Sequence, residues 1–115
     1  MKAPTSTSEN PADFHSPGFK DDSGKNRLGL VIGGFSEALE AVGVVGTYGA
    51  AKYTDGGWET VPGGRDRYTD AMLRHLLARM QGELRDGESG LDHLAHVAWN
   101  ALAVLELTIR QGKYP

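Results

Sequence analysis

Three stretches of the chain carry apolar residues at spacings of three and four, the period of one helical face. The first covers about residues 32–48, with Phe35, Leu39, Val42 and Val45 in step. Ser36 stands where a late cap would fall, and Gly33-Gly34 blur the start. The second runs over about residues 66–81, with Met72, Leu73, Leu76, Leu77 and Met80 on its apolar face. Gly82 and the polar segment up to Gly90 close it. The third, about residues 91–110, is apolar nearly all round: Leu91, Leu94, Val97, Trp99, Leu102, Val104, Leu105, Leu107 and Ile109 lie on every side. A helix of that kind is buried. Residues 54–65 read Thr-Asp-Gly-Gly-Trp-Glu-Thr-Val-Pro-Gly-Gly-Arg, a loop by turn chemistry alone. Nothing reads as a strand, so the pattern predicts an all-α fold.

The chain ahead of these blocks is different. Residues 1–27 hold five apolar side chains, Met1, Ala3, Ala12, Phe14 and Phe19. Such a segment cannot offset the entropy of ordering it. Residues 1–19 are therefore expected to be a disordered or docking N-terminal arm, and residues 20–115 one all-α domain. Three helices alone cannot easily cover the third one, so a helical bundle completed by oligomerisation is expected, with a core shared between chains.

Composition narrows the classes. Twelve Lys+Arg against fifteen Asp+Glu leave a net charge of −3, which argues against a nucleic-acid partner. The longest run without an Asp, Glu, Lys or Arg, His93 to Leu105, is short of the ~20 residues that span a bilayer. No apolar stretch follows Lys2, so no secretory leader is read. A cytoplasmic protein with no membrane partner is the expectation. Cysteine is absent, which removes thiolate metal sites. Glycine, 16 of 115 residues, is about twice its usual ~7% share. Gly43, Gly46 and Gly49 each cost the first helix ~1 kcal/mol against Ala, and close backbone packing is the expected reason for keeping them.

The candidate chemistry sits on and just before the third helix. At ~100° per residue, Asp92, His93, His96 and Asn100 share a stripe about 100° wide. Either these groups tie helices together by hydrogen bonds or they face a polar interior site. Upstream, Glu83 and Asp86 are three apart, as are Glu37 and Glu40 on the first helix; both spacings set carboxylates side by side on a helix. Oxygen ligands of that kind suit Mg²⁺ or Mn²⁺. Lys25, Arg27, Lys52 and Arg74, with His75, supply cations for polyphosphate, and Tyr53 or Trp58 a face for a base. No Walker-type phosphate loop is present.

In order along the chain stand Asp22-x-Gly24-Lys25-x-Arg27, Tyr48-Gly49-Ala50-Ala51-Lys52-Tyr53, Trp58 and Arg74-His75-Leu76, then Gly82-Glu83-x-x-Asp86-x-Glu88-Ser89-Gly90-Leu91 and His93-x-x-His96. Over about residues 20–108 this resembles the phage dATP/dGTP diphosphohydrolase family, which belongs with the MazG-like all-α nucleotide pyrophosphohydrolases. The resemblance implies a MazG-like helical bundle assembled as a homodimer or homotetramer. It also implies hydrolysis of a purine (deoxy)nucleoside triphosphate, dGTP or GTP before dATP, to monophosphate and diphosphate, in phage nucleotide-pool or 2-aminoadenine metabolism. Two or more Mg²⁺ or Mn²⁺ ions would be held by Glu37, Glu40, Glu83 and Asp86 with His93 and His96. Glu40 or Glu83 would take a proton from water; Lys25, Arg27, Lys52, Tyr53, Trp58, Arg74, His75 and Asn100 would hold substrate. The chain departs from the MazG-like pattern in its short Glu37-x-x-Glu40, with Val44 where relatives carry a further Glu. Which of Glu83-x-x-Asp86 and His93-x-x-His96 faces metal stays open. The competing reading is a non-catalytic helical oligomer that binds nucleotide or metal.

Overall fold

Four α-helices and one 3₁₀ turn organise residues 17–112, the part of the chain that the computed structural model describes. They are α1 (Leu28–Gly34), α2 (Ser36–Lys52), the 3₁₀ turn (Gly57–Thr60), α3 (Gly64–Met80) and α4 (His93–Arg110). No strand occurs among the described residues; a single bridge pairs Arg85 with Asp92. The all-α expectation holds. The expected arm lies mostly outside the described residues, and residues 19–27 are non-helical.

The first apolar block is two helices rather than one. After Gly33-Gly34 the chain bends by 79° at Phe35, whose N–H still donates to Val31 O at 3.0 Å. Phe35 occupies the cap position of α2 with no side-chain acceptor, so Ser36 is the first helical residue and not its cap. Two glycines in sequence remove the side-chain packing that would carry one helix through. No single helix among the described residues is long and apolar enough to cross a membrane.

The third block becomes α4, and its N-terminus is capped by Asp92, which accepts from Leu94 N–H at 2.8 Å. Its most extensive packing is against α3, then α2. The buried positions are His93, His96, Asn100, Ala103 and Leu107, spaced 3, 4, 3 and 4 as in a helix–helix seam. The polar stripe is therefore the inward face of α4 within one chain. Burial all round is not what a single chain shows: Leu94, Leu102, Leu105 and Ile109 are about half exposed. Leu28, Val31, Ile32 and Phe35 also stand open.

Between helices, glycine serves close approach at two places. A Cβ on Gly46 would lie 3.3 Å from Trp99 Nε1, and one on Gly64 would lie 3.3 Å from Leu107 Cδ1. Gly43 and Gly49 meet nothing within 4 Å, which corrects the expectation that all three α2 glycines permit packing.

Candidate active site

The turn between α3 and α4 is built on Asp86. Its N–H donates to Leu91 O and its carbonyl accepts from Gly90 N–H, both at 2.8 Å. Gly90 reverses the chain with a positive φ of 73°. The Asp86 carboxylate accepts from Ser89 N–H at 2.7 Å, a side-chain-to-backbone turn that Asp favours. The Ser89 hydroxyl in turn lies 2.7 Å from His96 Nε2 and accepts from Leu91 N–H at 3.1 Å.

Against this turn the α3–α4 seam brings three imidazoles together. His75 of α3 stacks on His96 of α4 with ring centroids 4.2 Å apart and planes 4° from parallel. His75 Nδ1 and His93 Nδ1 are 2.8 Å apart. His93 Nε2 meets Glu83 Oε1 at 2.7 Å. His75, Asp86 and His93 each offer a ligand atom, all within 4.8 Å of one another. Two imidazoles and a carboxylate are a donor set that fits a divalent ion.

Burial is the largest influence on both His75 and His96, and it holds each below the ordinary imidazole value of 6.5. For His75 the neighbouring His96 acts next and in the same sense. Burial acts on Asp86 in the opposite direction, upward. The Ser89 N–H and hydroxyl, with His96 and His75, outweigh it and hold the carboxyl below its usual range.

Two clefts meet at His75. One, about 830 Å³, is lined by Tyr48, Tyr53, Trp58, Arg67, Tyr68, Arg74, His75, His96, Trp99 and Asn100 together with glycines of α2 and the loop. Its aromatics brace one another edge-on: Trp99 stands 5.8 Å from Trp58 and 5.6 Å from Tyr68. Tyr68 Oη donates to Trp58 O at 2.8 Å and Arg110 binds Glu59 at 2.5 Å, which fastens the 3₁₀ turn to the helices. The other cleft, about 430 Å³, is lined by Tyr48, Lys52, Tyr53, Arg74, His75, Glu83, Asp86, Glu88 and His93. Across its mouth Lys52 pairs with Glu88, which raises the Lys52 pKa. An aromatic cleft opening into one lined by carboxylates, imidazoles and two cations suits a flat base followed by a charged chain.

Of the residues singled out in the sequence, the fold brings Glu83, Asp86, His93, His96, His75, Arg74, Lys52, Tyr53, Trp58 and Asn100 to these two clefts. Asn100 is buried and donates from Nδ2 to His96 O at 2.8 Å. Glu37, Glu40, Lys25 and Arg27 line neither cleft. Glu40 instead borders a separate recess with Gly43, Val44, Thr47, Tyr48 and Leu91. Sequence reasoning missed Ser89 as the link between Asp86 and His96, Glu88 as the partner of Lys52, and Tyr68 and Trp99 as cleft walls. The Asp86-x-x-Ser89 spacing was the available signal for the first; the others depend on how helices meet.

The family described as dATP/dGTP diphosphohydrolase, N-terminal, matches residues 15–114. Over 81 residues the chain is 35% identical to a dATP/dGTP diphosphohydrolase of Salmonella phage PMBT28, covering 70% of this chain. It spans about a quarter of that relative's length, 26%. No solved structure matches the chain significantly.

Proposed function

The chain belongs to the dATP/dGTP diphosphohydrolase N-terminal family, and from that premise we propose that it hydrolyses a purine nucleoside triphosphate to monophosphate and diphosphate. The observation that carries this reading is the junction of the two clefts at His75. A purine seats in the aromatic cleft against Trp58 or Tyr53, with Asn100 at its floor. The triphosphate then runs past Arg74 and Lys52, whose charges neutralise it and the departing diphosphate. A divalent ion would be held by Asp86 and His93 with His75, and Glu83 and His96 beside them. When bound, the ion supplies charge neutralisation at the α-phosphate and a more acidic water. Glu83, exposed at the second cleft, takes the proton of the attacking water. dGTP or GTP is the favoured substrate, with dATP second.

Glu37 and Glu40 line neither cleft of the single chain, and in this reading a second copy supplies them to the centre. The open apolar faces of α1 and α4 give such a copy its contact surface, as a homodimer or homotetramer. The non-catalytic alternative draws on the same separation of Glu37 and Glu40 from Asp86, and it predicts nucleotide binding without turnover.

Incubating the protein with dGTP and Mn²⁺ and resolving products by ion-exchange chromatography tests the reading. dGMP and diphosphate are expected, and Asp86→Asn is expected to reduce turnover by at least about 100-fold. Release of orthophosphate, or full activity in Asp86→Asn, would overturn it.

A further inference from the structure

We propose that His75, Asp86 and His93 form a site selective for a first-row transition ion of the imidazole-preferring class, such as Co²⁺ or Zn²⁺, with Mn²⁺ weaker and Mg²⁺ weakest. The biological purpose of such an ion rests on the hydrolase reading; the binding itself does not.

With Glu83 as a carboxylate and both imidazoles neutral, the hydrogen-bond chain sets which nitrogen is free. An ionised Glu83 can only accept, so His93 Nε2, at 2.7 Å from it, carries the proton. His93 Nδ1 then bears the lone pair, and it faces His75 Nδ1 at 2.8 Å. In the neutral pair His75 therefore donates to His93. A dication in the place of that shared proton meets one lone pair already presented. His75 presents the second by moving its proton to Nε2, its other neutral tautomer, with no change of net charge.

The surrounding groups have the arrangement that orients metal ligands. Glu83 accepts from the far nitrogen of His93, as carboxylates do behind ligating imidazoles. Ser89 N–H holds Asp86 Oδ2, which leaves Oδ1 for an ion. The stacked ring of His96 fixes the plane of His75. Two nitrogens on one ion stand about 3.3 Å apart at bond lengths of ~2.0–2.1 Å. The rings part by about half an ångström to admit it.

The donor set decides the class of ion. Imidazole suits Zn, Cu, Fe and Ni, and affinity climbs from Mn²⁺ through Co²⁺ toward Cu²⁺ at a given nitrogen- and oxygen-bearing site. Mg²⁺ demands oxygen in near-octahedral array and gives up water reluctantly. A four-carboxylate site built from Glu37, Glu40, Glu83 and Asp86 would favour Mg²⁺, but the first two lie outside the cleft that holds Asp86. Three protein ligands leave open positions for substrate or water.

Cobalt supplies a readout that needs no turnover. Metal-free protein, stripped with a chelator, is titrated with Co²⁺ and followed by visible absorption. A ligand-field band saturating with one ion per chain is expected, displaced by Zn²⁺ at equal concentration and not by a hundredfold excess of Mg²⁺. His75→Ala and Asp86→Asn are expected to abolish the band, and Glu83→Gln to weaken Co²⁺ binding by about 10–100-fold, as outer partners of metal ligands do. Helical circular dichroism shows that each variant is folded; because His93 is buried, His75→Ala and Asp86→Asn carry the test. Displacement by equimolar Mg²⁺, or an unchanged band in folded His75→Ala, overturns the proposal. A cobalt band without nucleotide turnover supports this site and removes the hydrolase reading. Turnover with Mg²⁺ and no cobalt band does the reverse.

Discussion

Gly46 offers a test of the packing that shapes the aromatic cleft. Replacing it with Ala sets a Cβ 3.3 Å from Trp99 Nε1 and 3.6 Å from Trp99 Cδ1, the first inside the ~3.5–4.0 Å optimum. Trp99 cannot swing away freely, because Trp58 and Tyr68 stand edge-on to it at 5.8 and 5.6 Å. Ala returns ~1 kcal/mol of helix propensity, while forced overpacking costs about 1–3 kcal/mol. The net expectation is a loss of about 1 kcal/mol. Gly43→Ala, in the same helix, meets nothing within 4 Å and keeps the whole propensity gain of ~1 kcal/mol. The two variants should differ by about 2 kcal/mol, or about 1 M in urea midpoint at a slope of about 2 kcal/mol/M. Urea unfolding at one protein concentration, followed by circular dichroism, reads this directly. Nucleotide affinity should fall in Gly46→Ala and stay unchanged in Gly43→Ala. Equal stability gains in both variants would refute the close α2–α4 contact.

Three further outcomes follow from the same geometry. Leu102→Glu with Leu105→Glu, both placed on the open face of α4, should convert the proposed oligomer to monomers by light scattering; unchanged mass would refute this face as the subunit contact. Lys52→Ala should raise the KM for triphosphate about tenfold, as loss of one charged hydrogen bond does, without altering the urea midpoint, since its pair with Glu88 is exposed. Metal-free protein should lose stability as the pH falls below 6.5: unfolded His75 and His96 take up protons there, while the folded ones, held lower by burial, do so only at more acidic pH. Their contribution is complete above 6.5 and declines toward the folded values; a flat profile in urea titrations from pH 7.5 to 5 would contradict the buried, neutral rings.

What the sequence makes legible follows from how local each feature is. The spans of α3 and α4 follow from a 3.6-residue period, and their ends fall within two residues of the expected ones. The stripe of His93, His96 and Asn100 is legible for the same reason, since one helix sets their relation. Glu83 and Asp86 share a cleft because three residues separate them, although a glycine-bounded turn and not a helix holds them. His75 is different. Its place against His93 depends on the register of α3 on α4, which side-chain packing decides and no short spacing records. Glu37 and Glu40 show the converse. Their spacing is right for a paired ligand set, but they line neither cleft. The break at Phe35 was hidden because Leu28 to Ile32 continues the apolar run into Gly33-Gly34.

The central claim is that a water is delivered to the α-phosphorus of a purine nucleoside triphosphate at the junction of the two clefts. Turnover of dGTP in ¹⁸O-enriched water, with mass spectrometry of both products, tests it most directly. One ¹⁸O in dGMP and none in diphosphate is the predicted result. Label in the diphosphate, or no hydrolysis with any divalent ion, would contradict it.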